Sequence, residues 1–189
     1  SSNQIHQGFY KSTEYIIIGS LQSSMTMNEL IKDKSTRNLF QDLNGEFCIF
    51  LFHQDKLQVV SDRFNSVPIY YSINSKNVII SDNLTFFKKE LQLNAYYNEV
   101  FFEFLYFQKI NGDKTILKNA KKLSASTIFT VESDKVTTKK YWEPIFLRDI
   151  NKNTLSENSR ELASLIKDSV KSKTHDLDLN EKLGIFLSG

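Results

Sequence analysis

The chain has 189 residues, 40% of them hydrophobic and 24% charged, with a formal net charge of +2. That size suits one ordinary domain with the opening of a second, and the charge balance argues against nucleic acid or an acidic membrane surface as a partner. A single cysteine, Cys48, excludes an internal disulfide framework, and no apolar run approaches the roughly 18 residues of a membrane-spanning helix.

The N-terminus, Ser1-Ser2-Asn3-Gln4, has neither the basic start nor the apolar centre of a signal peptide, so a cytoplasmic location is expected. It also lacks an initiator Met, which leads us to expect a clipped front. In chain order, residues 14–19 form a β-branched strand closed by Gly19. Two short helical patterns follow, at 27–32 and 37–43. From Gly45 the texture changes. Residues 46–52 are almost continuously apolar, the pattern of a strand buried on both faces. Across the polar turn 53–56, residues 57–61 return as a second strand.

Residues 67–71 and 77–81 continue as strands, giving an expected four-stranded antiparallel meander. Helices are expected at 84–91 and 98–107. The second is aromatic on more than one side, which predicts burial between layers. Asn111-Gly112-Asp113 marks a turn, and a last hairpin pairs 126–131 with 135–141. Trp142-Glu143-Pro144 stops the β region. Thr154-Leu155-Ser156-Glu157 has the spacing of a capping box, followed by an apolar stripe of Leu162, Leu165, Ile166 and Val170. Left uncovered, that helix is expected to be mobile or to pack on a neighbouring chain. An apolar strand, 182–187, ends the sequence at Ser188-Gly189.

Four fragments in this order carry a resemblance. They are Leu43-Asn44-Gly45-Glu46-Phe47 with Ser61-Asp62-Arg63-Phe64-Asn65-Ser66-Val67-Pro68-Ile69-Tyr70-Tyr71, then Lys122-Leu123, then Tyr141-Trp142, then Phe186-Leu187-Ser188-Gly189. From about Leu39 to its end the chain resembles the glutamine-hydrolysing asparagine synthetases. The resemblance implies an α+β protein. Residues 1–145 would form an αββα antiparallel sandwich of the N-terminal-nucleophile amidotransferase type, incomplete or degenerate at its front. Residues 146–189 would begin an α/β nucleotide-binding domain with its first helix and strand. It further implies an ATP-dependent ligase that adenylates a carboxylate and then forms an amide with glutamine-derived ammonia or an amine. A non-catalytic amidotransferase-like module is the alternative.

In that family a cysteine at the mature N-terminus hydrolyses glutamine, its own α-amine acting as base. This chain begins with Ser1, and Cys48 sits in an apolar strand that suits packing better than attack. No catalytic residue is therefore assigned. Asp62 and Arg63 are expected to build a turn, the Asp capping it and the Arg tying its carbonyls. Asn65 stands where the family has Gly and tolerates left-handed backbone. Leu187, Ser188 and Gly189 are assigned to ATP, because a small residue after a buried strand lets backbone N–H groups approach phosphate.

ATP and Mg²⁺ are expected for the intact parent and none for this piece. The three histidines lack ligand spacing, so no metal is expected. Lys118, Lys121, Lys122, Lys139 and Lys140 read as a solvated basic face. The implied partners are small molecules, namely a carboxylate acceptor and glutamine, with a homodimer compatible and neither nucleic acid nor membrane expected.

Overall fold

The computed structural model describes residues 5–22, 31, 40–74, 77–90, 96–133, 135–146, 153–174 and 184. The chain divides into two compact units, 1–144 and 145–189. In the first, six antiparallel strands form one sheet in the order β1-β2-β3-β4-β8-β9. These are β1 (Ile5–Tyr10), β2 (Thr13–Gln22), β3 (Asn44–His53), β4 (Lys56–Ser61), β8 (Thr127–Glu132) and β9 (Lys135–Lys140). A second, three-stranded sheet has the order β6-β5-β7, from β5 (Tyr70–Ile73), β6 (Val78–Ser81) and β7 (Lys121–Lys122).

Alternation explains the packing. Side chains at successive strand positions point to opposite faces. On one face of the large sheet, Ile17, Ile49, Val60 and Ile128 stand in register and join Phe40, Leu43, Phe47 and Tyr141 in one core. On the other face, Cys48, Val59 and Phe129 meet Val67, Ile69 and Leu123, with Tyr71, Val78 and Ile80 from the small sheet packed against them. Each fully buried aliphatic or Phe side chain contributes about 1.5–3 kcal/mol over its exposed state. A third cluster, Phe87, Leu117 and Ala120, takes in Tyr70 and Ile79 from the far face of the small sheet and Leu84 from helix α1 (Leu84–Glu90). The molecule is thus a mixed α/β structure built on antiparallel sheets.

Two expectations are corrected here, and one strand was not foreseen. Residues 45–81 do not form one meander: β3 and β4 pair in the large sheet, β5 and β6 in the small one. The bend at 62–69 carries the chain between them. Helix α2 (Asn98–Phe107) is not buried between layers, for Val100 is its only buried residue. Strand β1, almost wholly exposed, pairs with β2 through all six of its residues, though its mixed pattern gave no strand signal. Of the two early helical patterns, only Ile31 and residues 40–43 are described; Ile31 and residues 40–42 are helical, and Leu43 is not.

In the second unit, α3 (Leu155–Thr174) has no buried residue, and Leu162, Leu165, Ile166 and Val170 are exposed. Its start is a capping box. The Glu157 N–H donates to the Thr154 hydroxyl at 3.3 Å, and the Thr154 N–H donates back to the Glu157 carboxylate at 2.7 Å. The expected strand at 182–187 lies outside the described residues, Gly184 apart.

Candidate functional site

The chain turns sharply where β4 ends, and Asp62 makes that turn. Its carboxylate accepts the N–H of Phe64 at 2.8 Å and of Ser66 at 2.9 Å, the local pattern by which Asp side chains build turns. It reaches across the sheet to the N–H of Phe47 at 3.2 Å and also takes the Ser66 hydroxyl at 3.3 Å. Asp62 is only 1% exposed. A buried carboxylate is costly unless hydrogen-bonded, and here four donors replace water.

Arg63 turns elsewhere. Its guanidinium donates to the Asn44 side-chain oxygen at 3.0 Å and to the Gln41 carbonyl. Its central carbon lies over the Trp142 ring, 5.4 Å from the centroid and within cation–π range. Asn65 takes the left-handed backbone, φ 56°, and its amide donates to the Leu123 carbonyl at 2.7 Å. The Tyr141 hydroxyl donates to the Ser61 carbonyl at 2.8 Å, closing the turn from the far side. Burial above all, and Asp62 secondarily, push the Tyr141 phenol well above its ordinary range, against the opposing effect of Arg63.

Gly45 explains itself in the same place. Its φ of +134° is open chiefly to glycine, and a Cβ there would run into the Ser20 carbonyl. Leu43 and Phe47 on either side are both core residues. Three stretches distant in sequence therefore meet at one node with the Ser61–Tyr71 bend: Leu43–Phe47, Lys122-Leu123 and Tyr141-Trp142. Asn44 and Tyr141 lie inside the fragments that carry the resemblance, but nothing in the sequence pairs either of them with the Asp62 turn.

Cys48 lies outside this chemistry. It is fully buried in the core between the sheets, and burial, with Asp62 adding to it, raises its thiol far above the usual range. A thiol so placed stays protonated and unreactive. Among the described residues no group of three or more His, Cys, Asp and Glu could hold a metal ion. Leu187, Ser188 and Gly189 lie outside the described residues, so the structure gives no geometry for a nucleotide there.

A cleft of about 260 Å³ is lined by Tyr71, Asp113, Leu123, Thr127, Thr138 and Lys139, among others. Its charges are partly matched: Lys121 pairs with Asp113 at 3.0 Å, and Lys140, also on the lining, with Glu143 at 3.2 Å. No helix among the described residues is long and apolar enough to cross a membrane.

A family model described as a glutamine amidotransferase domain matches residues 28–142. Those bounds take in the Asp62 turn, Cys48 and the cleft. No curated protein matches. Among solved structures, glutamine phosphoribosylpyrophosphate (PRPP) amidotransferase from B. subtilis, complexed with ADP and GMP, is similar at 7% identity and a TM-score of 0.45. The alignment covers 76% of this chain and 32% of that one, so this chain spans about a third of that protein's length.

Proposed function

This chain belongs to the glutamine amidotransferase domain family, and from that premise we propose that it serves as the amidotransferase-like part of an asparagine synthetase-like, ATP-dependent amide ligase. The observation that carries the reading is the convergence at Asp62. The fragments that resemble asparagine synthetases are scattered over about a hundred residues, yet those described make direct hydrogen bonds or ring contacts around one turn.

In this reading the first unit is an αββα sandwich, and residues 146–189 open the nucleotide-binding domain, with Leu187, Ser188 and Gly189 at its phosphate turn. ATP with Mg²⁺ would supply activation of a carboxylate as its adenylate, which ammonia or an amine then converts to an amide. What this chain's own residues do is hold shape: Asp62, Arg63 and Tyr141 fix the bend between the sheets. Cys48 does not hydrolyse glutamine. Its burial also favours a second reading, a non-catalytic module that presents a rigid face to the rest of the protein.

The test is to express the complete open reading frame and follow pyrophosphate release from ATP and Mg²⁺ with a panel of aspartate, sugar acids and peptide carboxylates. Carboxylate-dependent release, abolished by Ser188→Pro, is the expected result. No release with any carboxylate, from folded protein, would favour the non-catalytic module.

A further inference from the structure

Away from the Asp62 turn, β5 of the small sheet faces β8 and β9 of the large one across the cleft of about 260 Å³. Every residue that lines it belongs to the first unit. Its floor is apolar: the Tyr71 ring packs on Phe129, 4.8 Å between centroids, with Leu123 beside them. Register supplies the walls. Thr138 stands opposite Phe129 and Thr127 opposite Lys140, so these side chains share the face of the large sheet that meets the small one. Tyr71 stands opposite Lys121 across β5 and β7, and Lys121 pairs with Asp113.

The ammonium groups on this side are matched, Lys121 by Asp113 at 3.0 Å and Lys140 by Glu143 at 3.2 Å. Lys139 stands opposite Ile128, a residue of the core on the other face, so its side chain leaves the cleft. What stays open is a set of hydroxyls. The side chains of Tyr71, Ser124 and Thr138 make no hydrogen bond among the described residues. The Thr127 hydroxyl donates to the Ala125 carbonyl at 3.0 Å and so meets a ligand as an acceptor. Lys121 uses Oδ2 of Asp113, which leaves Oδ1 as a second acceptor. Burial above all raises the Tyr71 phenol, against Lys121 beside it, and keeps the group a neutral donor.

We infer that this cleft takes a small uncharged polyol, about the size of one sugar ring. Ring hydroxyls both donate and accept, as the open groups here require, and the C–H face of a ring suits the apolar floor. A bare ion would instead have to displace a partner from one of the two ion pairs. The volume lies below the roughly 300–1,000 Å³ of pockets for drug-sized ligands, which leaves room for one ring rather than a nucleotide. The site uses only residues 71–140 and stands whether or not the chain belongs to a ligase.

The experiment is a ¹H–¹⁵N NMR titration of the full chain with D-glucose, D-galactose and myo-inositol, and separately with sodium phosphate. At least one polyol is expected to shift the amides of Ser124, Thr127 and Thr138 saturably, and phosphate to leave them unchanged. Thr138→Val and Tyr71→Phe each remove one hydroxyl while keeping the shape, and should weaken that binding about two- to tenfold. Thr137→Val, on the opposite face of β9, should leave it unchanged. The inference is overturned if no polyol shifts these amides, if phosphate shifts them instead, or if Thr137→Val weakens binding as much as Thr138→Val.

Discussion

Asp62 and Arg63 are adjacent and oppositely charged, yet they do not pair with each other. The carboxylate is held by the N–H groups of Phe47, Phe64 and Ser66, while the guanidinium reaches Asn44, Gln41 and the Trp142 ring. Each therefore organises a different side of the bend that carries the chain from one sheet to the other.

Asp62→Ala leaves three backbone donors without acceptors, one of them buried. Unsatisfied donors facing a lost charge cost about 3 kcal/mol or more in sum. Urea unfolding should show that loss. Arg63→Ala removes contacts that are partly solvated and should cost about 1 kcal/mol. Equal losses for the two would contradict the separate roles.

Tyr141→Phe keeps the ring against Phe40, 6.0 Å between centroids, but strips the donor from the Ser61 carbonyl. The expected loss is about 1–3 kcal/mol, read as a lower urea midpoint with an unchanged slope. The raised phenol also fixes a pH dependence. A group whose folded pKa lies above its unfolded one stabilises fully below the unfolded value, and that contribution is lost as pH rises through the folded value. Stability should therefore fall in the alkaline range, beginning near the ordinary tyrosine pKa of about 10, and fall less steeply in Tyr141→Phe.

Glu157 sets the opposite dependence in the second unit. Its hydrogen bonds to Thr154, from the backbone N–H first and the hydroxyl second, hold its carboxyl below the usual range. Such a group contributes above its unfolded pKa, and the contribution is lost as pH falls through the folded one. The first turn of α3 should fray as pH drops below about 4. Amide exchange at Glu157 and Asn158 would report it, and Glu157→Gln should remove most of the pH response.

Gly45→Ala forces a Cβ into left-handed backbone and into the Ser20 carbonyl. A loss of about 2 kcal/mol or more is expected. Gly112→Ala provides the contrast: its φ is also positive, but nothing lies within 4 Å of the added carbon, so a smaller loss is expected.

The two-sided burial of β3 is legible in its unbroken apolar run, since Phe47 and Ile49 serve one core and Cys48 the other. The turn at 53–56 and the β8–β9 hairpin are legible from their polar residues and flanking strands. What escapes the sequence has physical causes. A switch between sheets depends on where Asp62 sends its hydrogen bonds, and no local pattern encodes that. The aromatic helix 98–107 has the composition of a core element, but composition does not say whether a layer exists to cover it. Strand β1 is an exposed edge held by pairing with β2, so no apolar alternation marks it. The Asp62 node is half visible: its motifs stand out, whereas their meeting at Asn44 and Tyr141 is tertiary.

Cys48 provides the most direct test of the account, which holds that this amidotransferase-family domain does not use its own thiol on glutamine. The native chain is incubated with an electrophilic diazoketone analogue of glutamine and its intact mass measured, with maleimide labelling of the denatured chain confirming a free thiol. An unchanged native mass is predicted. A stoichiometric adduct mapped to Cys48 would contradict it.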